Sequence, residues 1–115
     1  MIRKKDNQKV ELKNIRQGIG EVKLEHILNN PEEMFMKGRM FAKMTVPVGN
    51  SIGLHAHDKD NEIFYILSGT GEYYDNGTKV VLEPGDTTIC KDTEEHSLVN
   101  TGTEDLVLIA LILYN

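Results

Sequence analysis

The run Leu106-Val107-Leu108-Ile109-Ala110-Leu111-Ile112-Leu113 is apolar at eight consecutive positions. A strand with one face in water alternates apolar and polar residues, because successive side chains point to opposite faces. This run does not alternate, so both of its faces must be covered, one by a core and the other by a second layer. The second layer is either the chain's own N-terminal strands or another subunit. The run is too short to cross a membrane, which takes about 20 apolar residues as a helix.

Most of the remaining chain also reads as strand. Arg39 to Val46 alternates, with Met40, Ala42, Met44 and Val46 on one face and Arg39, Phe41, Lys43 and Thr45 on the other. Asp75-Asn76-Gly77 is a strong hairpin signal, joining Glu72-Tyr73-Tyr74 to Lys79-Val80-Val81-Leu82. Residues 10–28 hold one or two strands, broken around Gly18-Ile19-Gly20. Asn30-Pro31-Glu32-Glu33 has the marks of a helix start: Asn caps, Pro fits the first turn and the acids suit the dipole. Gly38 limits that helix to about two turns. Residues 1–9 read as a flexible arm. There is no internal repeat. The 115 residues are expected to form one domain, an all-β sandwich or barrel with one short helix. Tryptophan is absent, so valine, isoleucine, leucine and methionine must carry the packing.

The formal charge of −5 argues against nucleic acid as a partner. The first 16 residues reverse that sign, with Arg3, Lys4, Lys5, Lys9, Lys13 and Arg16 against Asp6 and Glu11. A basic arm can touch a polyanion, but a solvated terminus is the plainer reading and is the expectation here. The single cysteine, Cys90, leaves no internal disulfide, fits a reducing cytoplasm, and is expected to pack in a strand. No apolar stretch follows the N-terminal charges, so no secretory signal is expected.

Chemistry concentrates in three of the four histidines. His55 and His57 are two apart, so along a strand they share a face. Asp58-Lys59-Asp60-Asn61 then makes a polar turn, and Glu62 starts the strand Ile63-Phe64-Tyr65-Ile66-Leu67. Two imidazoles and a carboxylate can thus meet from adjacent antiparallel strands. Far downstream, His96, Leu98 and Asn100 share a face of a short alternating strand, so His96 can supply a fourth ligand. Three imidazoles and one carboxylate suit a divalent transition metal. The acids of residues 58–62 do not make a calcium loop, because Ile63 and Gly69 stand where such a loop needs glycine and a bidentate acid. His26 lies outside the set and is expected to be structural or exposed.

Gly49, His55, His57, Glu62 and Gly69, followed by Gly85, His96 and Asn100, resemble the paired motifs of the cupin superfamily. Lys91 and Thr93 depart from it, standing where the family usually has proline and glycine; they shape the loop before His96. The resemblance is to small single-domain bacterial cupins. It implies a double-stranded β-helix, or jelly-roll barrel, and a metal held by His55, His57, Glu62 and His96. It favours Mn(II) or Fe(II), with Zn(II) or Ni(II) as alternatives. It also implies pairing through sheets, so a homodimer is expected, with a monomer closed by its own N-terminal segment as the alternative.

The function implied is a metal-dependent enzyme acting on a small oxygenated or carboxylate metabolite, by oxygenase, decarboxylase, isomerase or lyase chemistry. The alternative is a metal-containing module that binds or senses a small molecule without turnover. Four protein ligands on an octahedral ion leave two positions for such a ligand. Asn100, Arg39, Lys43 and Tyr65 are the residues beyond the metal set that are candidates for supporting the site or the substrate. Asp58, Asp60, Asp92, Glu94 and Glu95 adjoin the ligands. If they line the mouth they disfavour a dianion such as oxalate; if they face solvent, Lys59 and Lys91 turn inward. No arginine immediately precedes His55, which weakens an oxalate-decarboxylase reading.

Overall fold

A computed structural model describes all 115 residues. Ten strands follow in chain order: β1 (Val10–Lys13), β2 (Val22–Leu28), β3 (Gly38–Val46), β4 (Ser51–Ala56), β5 (Asp60–Ser68), β6 (Gly71–Asp75), β7 (Thr78–Leu82), β8 (Thr87–Cys90), β9 (Glu95–Val99) and β10 (Leu106–Tyr114). They make two antiparallel sheets, one ordered β1-β2-β3-β10-β5-β8 and the other β4-β9-β6-β7. This is the two-sheet architecture of a jelly roll.

The apolar run forms β10, in the middle of the larger sheet between β3 and β5. Leu106, Leu108, Ala110 and Ile112 point into the space between the sheets and are buried. Burying one such leucine or isoleucine contributes about 1.5–3 kcal/mol. The alternate residues, Val107, Ile109, Leu111 and Leu113, face outward and are half-buried. The N-terminal strands do not cover that face. β1 and β2 extend the same sheet beyond β3 instead.

Several local expectations hold. Residues 10–28 give two strands, interrupted at 14–21. Ala42, Met44 and Val46 form the inward face of β3. Asn76 (φ 46°) and Gly77 (φ 100°) make the two-residue turn between β6 and β7, with Asp75 opposite Thr78. Positive φ at both central residues is the turn that matches strand twist. Cys90 is buried in β8. His26 is buried too, its Nε2 2.7 Å from Glu11 Oε1.

Two expectations are corrected. The helix after Asn30 is only a 3₁₀ turn, Pro31–Met34. Asn30 does cap it, its Oδ1 accepting from Glu33 N at 3.0 Å. Phe35 and Met36 then adopt left-handed backbone (φ 55° and 59°), which stops the helix before Gly38. So short a segment has no cooperative helical stability to resist that. The second correction concerns β4 and β5, which do not pair with one another. They lie in opposite sheets, so the link through residues 57–59 crosses the sandwich rather than making a hairpin. No helix is long and apolar enough to cross a membrane. At the N-terminus, Arg3 bonds Ile27 O and pairs with Glu33, and Lys9 O accepts from His26 N.

Candidate metal centre

His55, His57, Glu62 and His96 converge at one end of the sandwich, with one ligating atom of each within 4.8 Å of the others. His55 on β4 is directly opposite His96 on β9. Glu62 reaches them from β5, across the interior. A bulge makes this possible. Ile52 is opposite Leu98 and His55 opposite His96, so β4 carries one residue more than β9 between those pairs. Without it, inward Ile52 would place Leu54 inward and both histidines outward. With it, Leu54 is exposed while His57 is buried. Gly53 lies in that bulge because no other residue fits: a Cβ there would lie 2.0 Å from the Arg16 carbonyl oxygen.

The atoms placed to hold a metal are the three Nε2 and Glu62 Oε1. His57 Nε2 and His96 Nε2 are each 3.1 Å from Glu62 Oε1, and His55 Nε2 is 3.9 Å from it. His96 Nε2 is 3.2 Å from both other Nε2 atoms. Each Nδ1 is engaged on the far side. That of His55 is 2.7 Å from Gly53 O, that of His57 2.7 Å from Asp60 Oδ1, and that of His96 2.8 Å from the Tyr73 hydroxyl. An Nδ1–H donating to those oxygens leaves Nε2 as the free lone pair, which is the tautomer a metal needs. Asp60 is itself held by Arg39 Nε at 2.7 Å.

The charges are balanced from within. Burial pushes the Glu62 carboxyl up, but His55, His57 and His96 outweigh it and hold the group well below the usual carboxylate range. Glu62, opposed by burial and aided by Asp60, raises His57 above its ordinary value. Burial lowers His96. For Asp60, burial is outweighed by Arg39 and His57, so its carboxyl is lowered. The cluster therefore favours an ionised Glu62 and shifts His57 toward its charged form, so a metal cation and protons compete for the same nitrogen atoms.

This donor set fits a divalent transition metal. Two ligands at right angles, each about 2.1 Å from an ion, lie about 3.0 Å apart, close to the separations found. The loop of residues 91–95 docks on the same residue. Thr93 N donates to His57 O at 2.8 Å, and His57 N donates to Glu94 O at 3.1 Å. Thr93 has φ 73°, so the position where glycine is usual in the family does adopt a left-handed backbone. A β-branched residue there costs about 1–2 kcal/mol.

A cavity of about 100 Å³ opens onto His55, His57 and Glu62 and is also lined by Lys13, Arg16 and Arg39. The charged mouth is therefore basic, and neither expectation for the loop residues holds. Asp60 faces His57 and Arg39. Asp92 accepts from Lys59 N and from Asn115, and Glu94 accepts from Lys91 N and from Asn76. These acids are taken up in bracing loops, and neither Lys59 nor Lys91 lines the cavity. The solvated N-terminal stretch needs the same correction, since Lys13 and Arg16 reach the cavity from it.

Of the four additional candidates, Arg39 alone is brought to the site. Leu113 is opposite Gly38 and Ile112 opposite Met40, so Arg39 is the extra residue of a bulge, and it joins Met40 at the cavity rather than Lys43. Lys43 stays on the outer face near Glu25 (3.8 Å). Tyr65 is 45% exposed on that same face. Asn100 is buried but braces a turn, donating to Val46 O and Glu104 O and accepting from Gly102 N. Sequence reasoning misses Asp60 and Tyr73 as partners of the histidines. The three-residue step from His57 to Asp60 is a usable signal; for Tyr73 there is none beyond strand parity.

Residues 42–112, more than half of the chain, match the model of the cupin domain. The chain is 44% identical over 102 residues to the oxalate-binding protein of Thermotoga maritima, covering 89% of this chain and 84% of that one. It is similar to the crystal structure of a predicted oxalate decarboxylase from Thermotoga maritima, with 40% identity, a TM-score of 0.93 and 100% of both chains covered. The cupin domain of Schizosaccharomyces pombe Cnp3 shares the fold alone, at 18% identity and a TM-score of 0.73 over 93% of this chain and 70% of that one. The chain belongs to the cupin family.

Proposed function

We propose that this chain is a metal-dependent protein that binds a small dicarboxylate of the oxalate class at His55, His57, Glu62 and His96. The observation that carries this reading is that the ligand cluster shares its cavity with Lys13, Arg16 and Arg39 and with no acid besides Glu62. Binding sites for drug-sized ligands span about 300–1,000 Å³. At about 100 Å³ this one has room for a few heavy atoms. Mn(II) or Fe(II) is the favoured ion, with Zn(II) or Ni(II) as alternatives. A divalent ion would supply a Lewis acid for a carboxylate. Asp60 and Gly53 O, which accept from Nδ1–H, hold His57 and His55 in the ligating tautomer, Tyr73 orients the His96 ring, and Arg39 holds Asp60. The likeness to an oxalate-binding protein points the same way.

Apart from His55, His57 and Glu62, the titratable groups of the cavity are all cations, so recognition is better supported than general acid–base chemistry. Turnover at the metal, by decarboxylation or oxygenation, is the second reading, favoured by the likeness to a predicted oxalate decarboxylase. The test is elemental analysis of chelator-free protein, followed by calorimetric titration with oxalate. Near one Mn or Fe per chain and saturable oxalate binding that vanishes on chelation are expected. Metal-loaded protein that ignores oxalate would refute the reading. Carbon dioxide release or dioxygen uptake would move the conclusion to the second.

We also propose a homodimer. Phe41, Leu111, Ile63 and Ile89 stand opposite one another across β3, β10, β5 and β8, on the face turned away from the other sheet. A continuous apolar row of this kind suits a second copy. Light scattering is expected to give twice the 13.0 kDa chain mass at micromolar concentration. A monomeric mass there removes the proposal.

A further inference from the structure

The segment between β1 and β2 is more constrained than a surface connection needs to be. Arg16 (φ 53°) and Gln17 (φ 60°) are successive non-glycine residues in left-handed backbone. Such outliers persist where the surroundings over-determine them. Here Gly18 N and Gly53 N both donate to Ile15 O at 3.0 Å. The Asn14 side chain spans the loop, donating to Gly18 O at 2.7 Å and Gly20 O at 2.9 Å. Ile19 N donates to Ser51 Oγ at 2.8 Å, and Ser51 N to Ile19 O at 2.9 Å. Gly53 is the hinge of this arrangement. Its N–H holds the Arg16 turn while its carbonyl oxygen orients His55.

The turn therefore sets Arg16 in register with a metal ligand, in the same cavity. Arg39 has its own carboxylate partner in Asp60, whereas Arg16 and Lys13 form no ion pair with any acid of the chain. Unpaired cations in a cavity whose ligand cluster holds one carboxylate call for an anion of more than one charge. A guanidinium recognises a carboxylate through paired, charge-assisted hydrogen bonds.

We propose that Arg16, presented by the Asn14–Glu21 turn, is the second anchor of the ligand and sets a preference for dicarboxylates over monocarboxylates. One carboxylate of the ligand faces the histidine cluster and the other faces Arg16, with Lys13 adding charge. This rests on the dicarboxylate reading above and is tested separately from it.

The experiment is calorimetric titration of Mn(II)-loaded protein with oxalate and with acetate. Wild type is expected to favour oxalate. Arg16→Gln is expected to weaken oxalate by about tenfold or more and to leave acetate nearly unchanged, so the ratio collapses. Metal content and melting temperature stay at wild-type values, and Arg16→Lys recovers part of the ratio. Arg16→Gly, which suits the left-handed backbone, loses the same ratio and keeps the test independent of folding. A wild-type ratio in Arg16→Gln or Arg16→Gly overturns the assignment while the proposed function stands. Wild-type protein that binds neither acid overturns both.

Discussion

His96→Ala is expected to strip the centre of its metal and to abolish the stabilisation that added metal confers. His96 is 1% exposed, and its Nε2 stands 3.1–3.2 Å from all three other donor atoms, the shared neighbour of the set. Losing a residue that merely supports a ligand typically lowers metal affinity about 10–100-fold, so losing the ligand itself should exceed that. At metal a hundred times above its dissociation constant, binding stabilises a fold by about 2.7 kcal/mol, and this gain should disappear. The metal-free variant is weakened as well. The Tyr73 hydroxyl loses its buried partner, at about 1–3 kcal/mol, and Glu62 loses one of the three groups that keep it ionised. The check is elemental analysis together with thermal unfolding, with and without Mn(II). Wild-type metal content in His96→Ala, and in His55→Ala beside it, would remove these residues from the site.

The cluster of His55, His57, Glu62 and His96 is legible in the sequence because its signal is local. His55 and His57 need only strand parity, Glu62 a short step, and His96 a second strand of the same kind. Asn76-Gly77 is legible for a similar reason, since both residues tolerate the φ the turn needs. The cavity wall is not legible, because it depends on two bulges and on topology. One extra residue near Gly53 turns His55 inward, and another at Arg39 turns that side chain toward the cavity. Alternation alone places Arg39 on one face with Lys43, and the bulge separates them. Lys13 and Arg16 lie about forty residues from the first ligand and reach it only because their turn is stitched to Ser51 and Gly53. The same distance in sequence hides the basic mouth, and so makes oxalate look disfavoured. Nor does composition reveal that the link through residues 57–59 changes sheets, since a crossing and a hairpin use the same polar residues.

Phe64 joins core and centre, and its removal is expected to damage both. It is 1% exposed, lines the cavity, and stacks on the His96 ring at 5.1 Å with planes 19° apart. It also meets Tyr73 edge-on at 6.2 Å. Phe64→Ala should cost about 3–5 kcal/mol, a large share of the roughly 5–15 kcal/mol that holds a domain of this kind together. Much of that is core volume, part of which Phe64→Leu restores, so the leucine variant leaves a smaller cavity and should lose clearly less than the alanine variant. Leucine cannot replace the flat surface against which His96 lies. His96 would then be held only by Tyr73, and metal affinity should fall about tenfold or more in both variants. Urea unfolding of the metal-free protein reads the first effect, and competition with a chelating indicator reads the second. If Phe64→Leu binds metal like wild type, the stacking does not orient His96 and Tyr73 suffices. If Phe64→Ala unfolds within about 1 kcal/mol of wild type, the sheets close around the gap and Phe64 is not a principal core contact. The expected pair of results, unequal stability losses with similar metal losses, would show that one ring serves two separate purposes.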